Sequence, residues 1–443
     1  MNKNMTKGNI FKVLLLFSIP LILSGILQQL YNWVDAVIVG NLVGQSSLAA
    51  IGVTSTVSNL FICIISGLTI GVTILISQKY GAKNYKDITK VAGNFVVFLV
   101  LLSIFFSFLG IVFTKKILLL MNTPTDIINL AKSYLSIIFV GVPFLTIYNV
   151  YGAMLRGIGD SRTPLYAIIV STITNGILAL IFVGVFHMGV SGAAIATVLA
   201  QAVSGIYLII YVYKKYSVLR FKFKKDIISL QILKQGLKLG FPIAIQSSIM
   251  AIGSLLLQNV MNSFGTQTVA AVTTAYRIDT IGILPVINVA SAISTFVAQN
   301  KGAGNMERAK LGLKKGIEII LPMSIITTLA VVFGAPTFMR LFGVSKEVIV
   351  MGQQFLFCCS IFYPIFGIQN AYVGFLQGNG DVIVPAISNI VSLMLRIFLS
   401  YSLANLIGFR IIAYSEMASW VLGTIICFIR YKSNRWEKVT IKQ

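Results

Sequence analysis

Twelve separate runs in this 443-residue chain are each apolar over about the 20 residues that a helix needs to cross a bilayer. They fall at roughly 13–39, 48–78, 91–114, 131–155, 164–186, 191–213, 239–263, 268–299, 316–338, 350–376, 382–405 and 407–430. In hydrocarbon every backbone N–H and C=O must be satisfied within the span, so each run must be helical. Composition agrees: 57% of residues are hydrophobic and only 11% charged, well away from soluble domains. A soluble enzyme and a disordered chain are both excluded. The first run continues past any signal-peptide length without a small-residue cleavage site, so it is expected to be the first transmembrane helix.

The net charge of +23 would suggest a nucleic-acid partner in a soluble protein. Its placement gives another cause. With the N-terminus assigned to the cytoplasm, 27 of the 35 Lys and Arg fall in inside segments and 6 in outside segments. Arg277 and Arg396 fall within spans. That bias is the positive-inside pattern of a multi-pass membrane protein, and no nucleic-acid partner is needed to explain it. An even span count places both termini in the cytoplasm. The four cysteines (Cys63, Cys358, Cys359, Cys427) lie in apolar runs without metal or disulfide spacing.

The two halves echo one another. Ile19-Pro20 answers to Phe241-Pro242, and the segment 77–84 answers to 298–305. Gly157-Ile158-Gly159-Asp160 answers to Gly378-Asn379-Gly380-Asp381; the last two pairs share an offset of 221, and the first is 222. Six spans per half make the repeats parallel, an arrangement that transporters use to rock two bundles about a central site. The expected fold is therefore all-α and polytopic: twelve transmembrane helices in two six-helix lobes. The expected domains are an N-terminal lobe at 1–213, a basic cytoplasmic linker at 214–238 and a C-terminal lobe at 239–443. The linker, with its Arg220-Phe221-Lys222-Phe223-Lys224-Lys225 run, fixes topology and also suits an amphipathic segment on anionic lipid.

Charges inside the membrane cost at least about 2.5–3.5 kcal/mol each on the insertion scale, so each is a functional candidate. Arg277, Asp279, Arg396 and Glu416 all lie in the second half and sum to zero, so a charge network that locks or serves that half is expected. Asp35 is the only embedded charge of the first half and has no basic partner there. It shares one helical face with Ser24, Gln28 and Tyr31, at steps of four, three and four, with Asn32 adjacent. Pro20 should kink the same helix. The fifth span offers Ser171 and Asn175, the sixth Thr197, Gln201 and Ser204, and the fourth Tyr134, Tyr148 and Asn149. Singly these residues are as well suited to gluing helices together; as a set they suggest a polar cavity about Asp35. Tyr276, Tyr363, Tyr372, Phe362, Phe366, Gln369 and Asn370 could line an aromatic wall for flat cations or simply pack.

The features at Pro20, Gln28 and Asp35, the Gln-Lys-Tyr-Gly-Ala-Lys-Asn turn at 78–84, Arg-Gly-Ile-Gly-Asp at 156–160, Gly-Ala-Ala-Ile-Ala-Thr at 192–197 and their second-half echoes resemble the multidrug and toxic compound extrusion (MATE) family of secondary transporters. The resemblance covers nearly the whole chain. It implies no enzymatic activity but export of amphipathic organic cations from a bacterial plasma membrane, in exchange for inward H+ or Na+. It also implies that bending at Pro20 takes part in the cycle. Its first-half cavity corresponds to Gln28, Asp35, Tyr134, Asn149, Asn175 and Thr197. On this reading Asp35, Asn175, Thr197 and Tyr134 couple the ion. Gln28, Tyr31, Asn32, Asp35, Tyr148, Asn149 and Gln201 bind substrate.

One departure bears on the ion. The family commonly carries a second Asp one turn after the fifth-span Asn, where this chain has Ala179. The acids that some members carry in the second half are also missing, with Met250 at one of those places. A lone desolvated carboxylate suits H+ better than Na+, and no resident cofactor or metal is expected. Membrane lipids surround the protein, which is expected to be a monomer. A flippase for a lipid-linked precursor is the alternative, but it would want more embedded bases than two. A membrane receptor or scaffold would have no need of polar stripes. No nucleotide-binding Gly-Lys-Ser/Thr element is present.

Overall fold

A computed structural model describes residues 4–222 and 229–439; the side chains of Asn32 and Ala36 also lie outside the described set. The Phe223-Lys224-Lys225 part of the basic connection falls outside it as well.

Every regular element among the described residues is helical. The first half holds α1 (Ile10–Leu42), α2 (Gln45–Gly81), α3 (Tyr85–Leu120), α4 (Ile128–Gly157), α5 (Arg162–Ala179, continued by a π-helical turn Leu180–Val185) and α6 (Gly189–Lys215). The second half holds α7 (Leu230–Ser263), α8 (Thr266–Gly302), α9 (Met306–Leu341), α10 (Lys346–Ile361), α11 (Tyr363–Gly378), α12 (Ile383–Ile407) and α13 (Ile411–Lys432).

These thirteen helices make twelve crossings. α10 and α11 meet at 48° across Phe362, because Pro364 cannot donate to the preceding turn, and together they form one broken span. α12 and α13 read by composition as one 50-residue stretch. They are a hairpin: Gly408 reverses the chain at φ 71°, a left-handed conformation open to glycine. Ser400 then meets Ser415 (2.9 Å), and Ser388 reaches the Gly423 carbonyl (3.2 Å). Lipid explains the many exposed apolar side chains, such as Phe333 and Leu406, since the outer face of the bundle needs no polar cover.

The chain forms two compact units, Leu23–Ala244 and Met1–Ile22 with Ile245–Gln443. It passes from one to the other inside α1 and inside α7, two residues after Pro20 and Pro242 respectively, and not in the connection 214–238. Both helices stay continuous through their prolines. In the second unit the first turns of α1 are core: Leu14, Phe17 and Leu21 pack among Val286, Val289, Ile293 and Ile320. Met5 is held there by Gln299 Oε1, which accepts from its N–H at 3.0 Å, while Arg308 donates to the Gly8 carbonyl at 2.8 Å.

The repeat seen in the sequence is also a repeat of local geometry. Asn84 caps α3 by accepting from Asp87 N–H (3.2 Å), and Asn305 caps α9 by accepting from Arg308 N–H (3.1 Å). The preceding residues, Lys83 and Gly304, both adopt positive φ, at 58° and 73°. The Asp of each Gly-x-Gly-Asp turn is buried and bonded, but to different partners: Asp160 accepts from Tyr216 (2.6 Å) and Asp381 from Arg430 (2.7 Å).

Two helices of the first unit approach closely along facing small-residue stripes that the sequence reading did not use. Gly67 and Gly71 of α2 oppose Ala244 and Gly240 of α7. A Cβ on Gly71 would stand 2.5 Å from the Gly240 nitrogen. Without a hydrophobic drive in lipid, such backbone contact is what binds two helices. Gly71→Ala is expected to cost about 1–3 kcal/mol through overpacking. Gly52→Ala, where a Cβ meets nothing within 4 Å, should leave the thermal midpoint of the detergent-solubilised protein unchanged. Equal midpoints for the two variants would refute this packing.

Candidate functional site

The face of α1 that carries Asp35 turns into the first unit. Asp35 is buried at 7% exposure. Its Oδ2 accepts from the Thr197 hydroxyl of α6 at 3.0 Å. Asn175 of α5 donates to the same hydroxyl oxygen at 3.4 Å, and Tyr31 donates to the Thr197 carbonyl at 3.4 Å. Tyr134 of α4 is buried in the same cluster as Ile38, Val39 and Ala179. Four helices thus bring Tyr31, Asp35, Tyr134, Asn175 and Thr197 together. Ser171 ties α5 to α6 one turn away, donating to the Ala200 carbonyl at 3.1 Å.

The bonding around this group is incomplete in a particular way. Asp35 Oδ1 and Asn175 Oδ1 are both buried without a hydrogen-bond partner among the described residues. Both are acceptors. No Lys or Arg among the described residues forms an ion pair with Asp35. A buried acceptor left unmade costs about 1–3 kcal/mol, more if charged. Such a group has the chemistry to accept a proton or a cation. Ala179, one turn beyond Asn175, contributes no second carboxylate. The π-helical turn that follows it shifts the helix register at the end of this site, a feature frequent at functional positions.

The remaining expected substrate residues do not share this cluster. Gln28 is exposed and lies two turns before Asp35. Gln201 is half-buried, one turn after Thr197. Tyr148 and Asn149 stand about 21 Å further along α4 than Tyr134, because each helical residue rises about 1.5 Å. Tyr148 is buried there, and the Asn149 amide donates back to the Leu145 carbonyl of its own helix (2.9 Å). Asn32 falls outside the described side chains.

The second unit holds the other charges. Arg396 of α12 pairs with Glu416 of α13 at 3.0 Å, and the same Glu416 oxygen accepts from Tyr276 of α8 at 3.2 Å. Arg396 also donates to the Tyr276 hydroxyl. Asp279, buried one turn along α8, accepts from Tyr363 at 2.7 Å. Tyr363 sits at the α10–α11 corner and is wholly buried. The break at Pro364 thus sets Asp279's partner, whereas Pro143, its counterpart in the first half, lies inside the unbroken α4. Tyr276 and Tyr363 are therefore carboxylate partners, not part of an open aromatic wall. Phe366 packs on Trp420, ring centroids 4.9 Å apart.

Arg277 is a correction to the expected network. Its position two residues before Asp279 turns it about 200° around the helix. It is exposed, makes no ion pair among the described residues, and lies over the Phe342 ring, 6.0 Å from its centroid.

The MatE family model matches residues 20–181 and 242–402, once in each half. The chain belongs to the MATE family. It is 32% identical to "Probable multidrug resistance protein YpnP" of Bacillus subtilis (strain 168), over 98% of both chains. It is 24% identical to "Probable multidrug resistance protein NorM" of Thermotoga maritima, over 96% of this chain and 93% of that protein. A solved structure described as "Outward-facing conformation of a multidrug resistance MATE family transporter of the MOP superfamily" superposes with a TM-score of 0.92, covering 98% of each chain at 23% identity. The MATE fold is that of twelve helices in two lobes, as the span pattern implied. As a MATE protein this chain is a multi-pass membrane transporter of small molecules and not an enzyme.

Proposed function

We propose that this MATE protein is a secondary active antiporter that exports amphipathic organic cations in exchange for inward protons. The observation that carries the reading is the Asp35 carboxylate, buried, opposed by no base among the described residues, with one oxygen held by Thr197 and the other free to take a charge. A cation and a proton compete for that one group. Ionised Asp35 attracts the substrate cation. A proton arriving from outside neutralises the carboxylate and removes the attraction, and the cation leaves outward. Asn175 and Thr197 hold the carboxylate in one orientation through both states, and Tyr31 and Tyr134 close the group off. One carboxylate serves both ligands, so they need never be bound together.

Sodium is the runner-up. The Asp35 and Asn175 oxygens could ligate it, but Ala179 removes the second negative charge that would offset its dehydration. The excess of Lys and Arg in alternate connections supports cytoplasmic termini in a bacterial plasma membrane. The protein would act as a monomer set in membrane lipid. The test is ethidium efflux from proteoliposomes under separately imposed gradients. A proton gradient alone should drive export and a sodium gradient alone should not. The reverse result would replace H+ by Na+, and no flux under either gradient would refute drug export.

A further inference from the structure

Arg277 is an ionisable group in the second unit to which the charge network gives no role. It is the twelfth residue of α8, about 16 Å along this apolar helix from the α7–α8 turn. A guanidinium there cannot face hydrocarbon without a cost of several kcal/mol. It faces instead a cavity of about 610 Å³, lined by Asn262, Thr266, Thr273, Arg277 and Phe342 among others. The pocket is open on one side and large enough to admit a drug-sized molecule.

The lining has a defined chemistry. It holds one full positive charge and no carboxylate. The neighbouring acid, Asp279, is turned away and already bonded to Tyr363. Asn262 accepts from Gln258 at its Oδ1 (3.0 Å), and its NH2 can still donate. Thr266 and Thr273 add hydroxyls, while Val269, Ala270 and Phe342 supply an apolar wall. The Phe342 ring beneath the guanidinium holds it by a cation–π contact without neutralising it. The one full charge in the lining is positive, and its hydroxyls and amide can add donors beside it.

We infer that this cavity is a binding site for an oxyanion carried on an apolar body, a carboxylate, sulfonate or phosphate amphiphile, with Arg277 as its anchor. The fork of the guanidinium matches such a group with two parallel hydrogen bonds. The occupant is either a soluble amphiphilic anion or the headgroup of an anionic phospholipid; the chemistry at Arg277 is the same. The site is separate from the Asp35 group and of opposite charge.

The test uses the full-length protein in phosphatidylcholine nanodiscs, with dansylglycine as a fluorescent carboxylate and dansylglycinamide as its neutral analogue. Empty nanodiscs give the lipid background. Wild type should bind the carboxylate about tenfold or more tightly than the amide, the effect of one charge-assisted pair. Arg277→Gln should lose that preference while its amide binding and monodisperse elution stay unchanged. Arg277→Lys should keep part of it. Adding phosphatidylglycerol to the discs separates the sources: displacement of the dye assigns the site to the lipid headgroup, and no displacement assigns it to the soluble amphiphile. Equal affinity for carboxylate and amide in wild type, or a preference that survives in Arg277→Gln, overturns the inference.

Discussion

Asp35→Asn is expected to abolish gradient-driven efflux of a cationic dye while leaving the protein folded. The substitution keeps the shape of the side chain and its contact with the Thr197 hydroxyl, 3.0 Å away. It removes the carboxylate charge and with it the group's acid–base titration. Losing one partner of a desolvated charge pair costs about 2–5 kcal/mol, so dye affinity should fall between about thirtyfold and several thousandfold. Coupling should fail independently of affinity, because raising dye concentration cannot restore a titrating group. The readout is therefore efflux rate against dye concentration under an imposed proton gradient: the plateau itself should drop to the level of empty liposomes. An Asp35→Asn protein that still concentrates dye on a proton gradient would place coupling elsewhere, with Asp279 the next group to examine. Thr197→Val should be milder. It removes one donor to Asp35 but leaves the carboxylate, so efflux should slow without losing its dependence on the gradient.

The second large effect is expected on stability. Arg396→Met leaves Glu416 buried with a hydrogen bond from Tyr276 and a weak one from the Cys359 thiol. Breaking a buried pair by removing one partner typically costs about 3–5 kcal/mol, because the remaining charge is uncompensated. The thermal midpoint in detergent should fall by several degrees. Arg396→Met combined with Glu416→Met should recover most of the loss, since that buried charge is then gone too, and the non-additivity measures the coupling. Full recovery of both stability and efflux in the double variant would make the pair purely structural. Recovery of stability with efflux still lost would give Arg396 or Glu416 a part in transport. An unchanged midpoint in the single variant would show that the pair is already solvated.

Much of this was legible in the sequence because the bilayer simplifies the physics. Hydrocarbon thickness fixes the length of a span and unsatisfied backbone is forbidden, so apolar runs reveal twelve crossings. Asp35 was legible for the same reason: a carboxylate without a base stands out where every charge is costly. Its face on α1 follows from helical periodicity, and the parallel repeat follows from Pro, Gly and Asp recurring at offsets of 221 and 222.

Contacts between helices were not written in any local pattern. Thr197 stands 162 residues from Asp35, and only the packing of α1 against α6 brings their oxygens within 3.0 Å. The early turns of α1 read as ordinary apolar helix, yet they are core of the unit formed by the second half, because tertiary packing decides which apolar surface is buried against which. Pro143 and Pro364 occupy matching places in the two halves, but only the second breaks its helix, and that break carries Tyr363 to Asp279. Arg277 and Asp279 balance as charges along the chain, but two helical steps set them on opposite sides of α8. The number of crossings and the charges that need an explanation could be read from the chain alone, because hydrocarbon penalises every break in an apolar run. The tertiary structure decided which of those charges meet, because side-chain partners depend on the rotation and approach of whole helices, and a difference of one or two residues along a helix turns a paired group into an exposed one.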